Sequence, residues 1–151
     1  MIIFVASDHS GFELKNKVIP YLIKQGFEVV DKGPFEYVET DDYPDFASLV
    51  AKEVLKNPEK HRGIMVCGSG QGEGMVANRF KGVRATVYYG GNVDVVKTSR
   101  DHNDSNVLAI GARFASEEEA FRAVDVWLQT PFSNAERHIR RIKKIDLYPN
   151  A

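Results

Sequence analysis

A second cysteine is missing from this sequence, and with it any internal disulfide. No Cys or His stands at zinc-site spacing and the four histidines lie far apart, so a structural metal is not expected. An excess of cations is missing too: 20 Lys and Arg stand against 21 Asp and Glu, a formal net charge of -1. That balance points away from nucleic acid and from membrane surfaces. No stretch approaches the roughly eighteen apolar residues of a membrane helix. The first apolar run, IIFVA at 2–6, has no basic segment before it and no small-residue cleavage site after it, so a cytoplasmic protein is expected. There is no internal repeat and no low-complexity linker, and 151 residues suit one domain spanning 1–151.

What is present is alternation of two periods. The runs at 2–6, 27–31, 63–67, 83–88 and 107–111 are nearly continuous in apolar residues, as in parallel strands buried on both faces. Between and after them, helical patterns run at about 11–25, 44–57, 72–80, 92–101, 117–129 and 134–145. Capping boxes are expected at Ser116 with Glu119 and at Ser133 with Glu136. Pro44 suits a first helical turn, whereas Pro20 falls inside the first helix and should bend or interrupt it. A βα series of this kind folds as an α/β protein: a single-domain, doubly wound (Rossmann-like, flavodoxin-like) five-stranded parallel sheet, helices on both faces, and a C-terminal helix. Ligands bind such sheets at the carboxyl ends of the strands, which directs attention to the loops after the first, third and fifth.

The third of these loops reads CGSGQGEG, 67–74. A dinucleotide fingerprint, a P-loop and a C-x₅-R phosphatase loop each fail at position 73, where Glu73 stands. What remains is a glycine-rich turn entering a helix, whose backbone N–H groups favour negative charge: a phosphate, or an enolate formed in a reaction. Cys67 is then either a buried strand-end filler or a thiol whose pKa the helix N-terminus lowers enough to make a base. Glu73 is either a first-turn acid answering the helix dipole or a second candidate base. Asp8 and His9, in the first loop, read equally as turn residues or as ligands. Arg137 and Arg141 share a helix face and suit a phosphate monoester, although basic residues near a helix end also simply answer its dipole.

Five stretches, SDHSGFELK, DYPDFA, CGSGQG, DHNDSNVLAIGAR and ERHIRRI, occur in an order and spacing that resembles the type B ribose-5-phosphate isomerases, over almost the whole chain. These belong to a wider sugar-phosphate isomerase family that includes galactose-6-phosphate isomerase subunits. The resemblance implies interconversion of ribose 5-phosphate and ribulose 5-phosphate through a cis-enediol(ate), with no metal and no redox cofactor. It also implies a homodimer or dimer of dimers whose active site is shared between subunits. By the same resemblance His102 opens the sugar ring and Asp8 assists at the sugar oxygens. Gly68, Ser69, Gly70, Gln71 and Gly72 form the anion hole with Asn103 beside it. His9, Arg137 and Arg141 hold the phosphate, Arg113 lies at the site's edge, and Tyr43 and His138 support its wall. One branch of the family uses a cysteine at position 67 as the proton carrier and another a glutamate at position 73. This chain has both, and the intact C-G-[ST]-G motif favours Cys67. The same chemistry on a six-carbon sugar phosphate such as allose or galactose 6-phosphate, a catalytically silent sugar-phosphate binder, and a nucleotide-binding module are the competing readings.

Overall fold

The computed structural model describes residues 1–148. Among them the strands are β1 (Ile2–Ser7), β2 (Glu28–Asp31), β3 (His61–Cys67), β4 (Ala85–Tyr88) and β5 (Val107–Gly111). The helices are α1 (Phe12–Lys24), α2 (Tyr43–Leu55), α3 (Gln71–Ala77), α4 (Asp94–Asn103), α5 (Glu117–Gln129) and α6 (Glu136–Ile145). All strand pairs are parallel, in the order β2-β1-β3-β5-β4. The expected doubly wound α/β sheet is therefore present, with its last two strands interchanged relative to the flavodoxin order. Burial follows this order: every residue of β5, in an interior place, is buried, whereas β4 at the edge is mostly half-buried.

Side chains alternate across the sheet. Ile3, Val5, Ile64, Val66, Leu108 and Ile110 pack against α1, α4 and α5, while Phe4, Ala6, Met65, Cys67, Val107 and Ala109 pack against α2 and α3. On the first face Trp127 is fully buried and its indole N–H donates to Ser105 Oγ at 2.8 Å. A polar anchor of this kind lets a large aromatic enter the core without losing a hydrogen bond.

Two local expectations are corrected. Pro20 does not interrupt α1, which runs continuously through it. The carbonyl that loses its amide partner belongs to Asn16, four residues earlier on the exposed side, where water can replace the missing donor. Ser133 does not cap α6, whose N-cap is Ala135. Its hydroxyl instead donates to the Asp101 carbonyl at 2.7 Å and meets His138 Nδ1 at 2.9 Å. The box at Ser116 and Glu119 forms as read, and Pro44 lies in the first turn of α2. Among the described residues no helix is long and apolar enough to cross a membrane.

Candidate active site

Because β1, β3 and β5 are neighbours in the sheet, the loops at their carboxyl ends meet. After β1, Asp8 caps a 3₁₀ turn spanning His9–Gly11, its Oδ1 accepting the Gly11 N–H at 3.0 Å. After β3, the sheet pairing continues past the strand: Ala112 N–H donates to the Cys67 carbonyl at 2.7 Å and Arg113 N–H to the Gly68 carbonyl at 3.0 Å. These bonds turn the loop's carbonyls toward β5. The chain then reverses at Gly70, whose φ of 74° lies in the left-handed region that glycine adopts without a steric penalty. Gly72 serves a close approach, since a Cβ there would lie 2.6 Å from Tyr43 Cζ. The ring of Tyr43, at the start of α2, thus rests on the first turn of α3.

The loops enclose an open cavity of about 470 Å³. Asp8, His9 and Ser10 line it from the β1 loop, Gly68, Ser69, Gly72 and Glu73 from the β3 loop and α3, and Arg113 and Phe114 from the β5 loop, with Tyr43 closing one wall. Arg113 is steadied by donating to Ser10 Oγ at 2.8 Å, and Ser69 Oγ accepts the Gln71 N–H at 3.3 Å.

Three buried groups form the floor: a thiol or carboxyl atom from each of Asp8, Cys67 and Glu73 lies within 4.8 Å of the others. Cys67 is 2% exposed and Glu73 4%. The expected lowering of the thiol pKa is reversed. Burial pushes it well above its ordinary value of 9.0, and the Glu73 charge adds to the effect, outweighing the Asp8 backbone N–H that lowers it. Burial also raises the Glu73 carboxyl above its usual 4.5. Of the two, only Glu73 lines the cavity. The three donors could converge on a cation, but a thiolate ligand would first have to release a proton that burial and Glu73 hold on the sulfur. The same arrangement suits proton exchange with a ligand.

A second cluster lies on α4 and α6. The His102 and His138 rings are 4.2 Å apart, and Arg137 Nε–H donates to His138 Nε2 at 3.1 Å. With Nε2 accepting, His138 carries its proton on Nδ1 and donates it to Ser133 Oγ, so the neutral ring is fully hydrogen-bonded. Its pKa is held below 6.5 by burial first, then by His102 and Arg137. Arg137 and Arg141 are exposed on one face of α6, and His102 is exposed at the end of α4. None of these residues lines the cavity, and Asn103 borders a different hollow beside β4. Gln71 is turned away as well, toward a groove with Met75 and Arg79.

The model of the family described as Ribose/Galactose Isomerase matches residues 3–145. The chain belongs to that family. Among its relatives, the probable ribose-5-phosphate isomerase B of Mycoplasma genitalium is 43% identical over 146 residues, 97% of this chain and 94% of the relative. The ribose-5-phosphate isomerase B of Escherichia coli is 41% identical over 138 residues, 91% of this chain and 89% of its own. A crystal structure of the Mycoplasma genitalium enzyme with bound ribulose-5-phosphate matches with a TM-score of 0.93, covering 97% of this chain and 95% of that one.

Within this ribose/galactose isomerase fold, most of the predicted residues fall into two groups, with Gln71 and Asn103 bordering hollows of their own. Asp8, His9, Tyr43, Cys67, Gly68, Ser69, Gly70, Gly72, Glu73 and Arg113 assemble around one cavity and its loops, while His102, His138, Arg137 and Arg141 gather elsewhere on the same subunit. Sequence reasoning gave no role to Ser10, Phe114 or Asp41. Ser10 and Phe114 are direct neighbours of motif residues and could have been taken with them. The only signal for Asp41 is the doubled acid in DDYPDFA.

Proposed function

We propose that the protein is an aldose–ketose isomerase interconverting D-ribose 5-phosphate and D-ribulose 5-phosphate, acting without a metal as a cytoplasmic homodimer or dimer of dimers. One observation carries the reading: the chain is 43% identical, with a TM-score of 0.93, to an enzyme whose structure holds ribulose-5-phosphate. The cavity's chemistry agrees. A buried acid faces a glycine loop that offers backbone donors, as an enediolate requires.

In this mechanism a base takes the C2 proton of the open-chain aldose while O1 gains one, giving the enediol. The base then delivers a proton to C1 as O2 loses its own. Glu73 is the proton carrier, supported by its place on the cavity wall and by a pKa raised toward working pH, which suits both uptake and return. Cys67 stays a neutral thiol beneath it. The backbone of 68–72 holds the developing oxyanion and Asp8 meets the sugar hydroxyls. His9 binds the phosphate.

The remaining roles require a second subunit. His102 opens the ring, Asn103 completes the oxyanion site, and Arg137 and Arg141 clamp the phosphate with His138 behind them. Their separation from the cavity within one chain supports a site formed where α4 and α6 of one subunit face the strand ends of the other.

The test is proton NMR of ribose 5-phosphate in D₂O. Ketose formation with deuterium entering at the carbon that receives the proton is expected. No ketose and no exchange, with allose 6-phosphate also inert, would reduce the protein to a sugar-phosphate binder. Turnover of allose 6-phosphate alone would move the activity to six-carbon substrates.

A further inference from the structure

The segment joining β2 to α2 has little regular structure, yet it brings a carboxylate against His9, a residue of the cavity wall. Asp41 Oδ1 accepts both the backbone N–H of His9 at 3.1 Å and the Nδ1 proton of the same residue at 2.7 Å, across 32 positions of sequence. The Asp41 side chain is only 7% exposed, and its Oδ2 is buried without a hydrogen-bond partner. A buried carboxylate is costly without hydrogen-bond donors, and both donors in contact with this one come from His9. With Nδ1 committed to Asp41, the nitrogen left for a ligand is Nε2, on a ring that lines the cavity.

A long loop is ordinarily a poor support for a functional group, but this one is fastened. Lys15 is fully buried, and its ammonium donates to both Asp31 oxygens at 2.9 and 2.8 Å and to the Pro34 carbonyl at 2.8 Å. Asp31 Oδ1 also takes the Gly33 N–H at 2.8 Å, and the Gly33 carbonyl accepts the N–H of Ser7, two residues before His9, at 3.0 Å. The start of the segment that carries Asp41 is therefore tied to the end of β1, two residues before His9.

We infer that Asp41 is the positioning residue for His9: through two hydrogen bonds to one carboxylate oxygen it holds the ring with Nε2 toward the ligand's phosphate. This inference rests on the reading of His9 as a phosphate ligand. The chain of contacts is Asp41 carboxylate, His9 ring, phosphate, with the ring's Nδ1 fixed by the carboxylate and its Nε2 left to the phosphate. Asp41 itself touches no substrate, so its removal acts on binding rather than on proton transfer.

The experiment compares wild type, His9→Ala, Asp41→Ala and Asp41→Asn as full chains, by steady-state kinetics on ribose 5-phosphate and by calorimetry with inorganic phosphate. Asp41→Ala is expected to raise KM and the phosphate Kd roughly ten- to a hundredfold, with kcat falling far less. Asp41→Asn keeps an acceptor for both His9 donors but not the charge, and recovers part of the loss. Phosphate affinity unchanged in Asp41→Ala or in His9→Ala overturns the inference, as does a loss of kcat with KM retained. A wild type that binds phosphate through His9 but never turns over ribose 5-phosphate sinks the isomerase reading alone. The role of Asp41 is then decided by the phosphate Kd.

Discussion

The thiol of Cys67 and the carboxyl of Glu73 share the cavity floor within 4.8 Å of each other: burial and the carboxyl raise the thiol's pKa, burial raises the carboxyl's against a hydrogen bond from the thiol that lowers it, and only the carboxyl borders the open space. The two candidate bases that the family resemblance implies thus meet in one chain. Their environments separate them. Both are buried, but the thiol starts from an ordinary value of 9.0 and is pushed higher, while the carboxyl starts from 4.5 and is pushed toward neutrality.

Glu73→Gln is therefore expected to abolish isomerisation, and Cys67→Ala to retain most of it. Losing a general base lowers kcat by about 10²- to 10⁴-fold. Deuterium incorporation measured on both variants decides the assignment, and the reverse pattern names Cys67.

The same glutamate carries a stability cost. Its folded-state pKa lies above the unfolded value, so the penalty for ionising it is absent below about pH 4.5 and complete above the folded pKa. At neutral pH, Glu73→Gln should raise the melting temperature while removing activity. A lower melting temperature would show that the carboxylate is better satisfied than its burial implies.

His138 produces a pH dependence of opposite sense. With its folded pKa below 6.5, the unfolded chain takes up this proton first, so the His138 contribution is intact above 6.5 and lost as pH falls through the folded value. Protonation would also remove the acceptor for the Arg137 Nε–H. Melting temperatures from pH 7.5 down to 5 should decline, and His138→Gln should flatten that decline.

A shared active site predicts complementation between inactive variants. Glu73→Gln and His102→Ala homodimers are each inactive, but mixing them under subunit exchange creates dimers with one intact site. Random pairing restores roughly a quarter of wild-type activity. If the mixture stays inactive although exchange is verified by mass spectrometry, each site lies within one subunit.

Truncating Trp127 tests the core on the face away from the cavity floor. The side chain is fully buried and bonded to Ser105 Oγ, so Trp127→Ala should cost about 3–5 kcal/mol in urea unfolding. A cost below about 1 kcal/mol would mean that α5 is not anchored through this residue.

Much of the architecture could be read along the chain because its signals are local. Continuous apolar runs mark strands buried on both faces, and the Ser116 box marks the start of α5. The motif residues at the ends of β1, β3 and β5 could be assigned to one site because strand ends in a doubly wound sheet converge. Other features depend on partners distant in sequence. Pro20 looked disruptive, yet the helix runs through it with Asn16, four residues earlier, on the exposed side, and Ser133 looked like a cap until Asp101 and His138 claimed its hydroxyl.

The sequence by itself determined the class of fold, the loops that carry chemistry and the presence of two candidate bases, since each follows from residue type, period and spacing. Tertiary structure decided the strand order, which of Cys67 and Glu73 borders the cavity, the separation of the His102–His138 cluster from that cavity, and the meeting of Asp41 with His9. Burial, charge proximity and hydrogen-bond competition are properties of groups brought together in space, and no period or spacing along the chain encodes them.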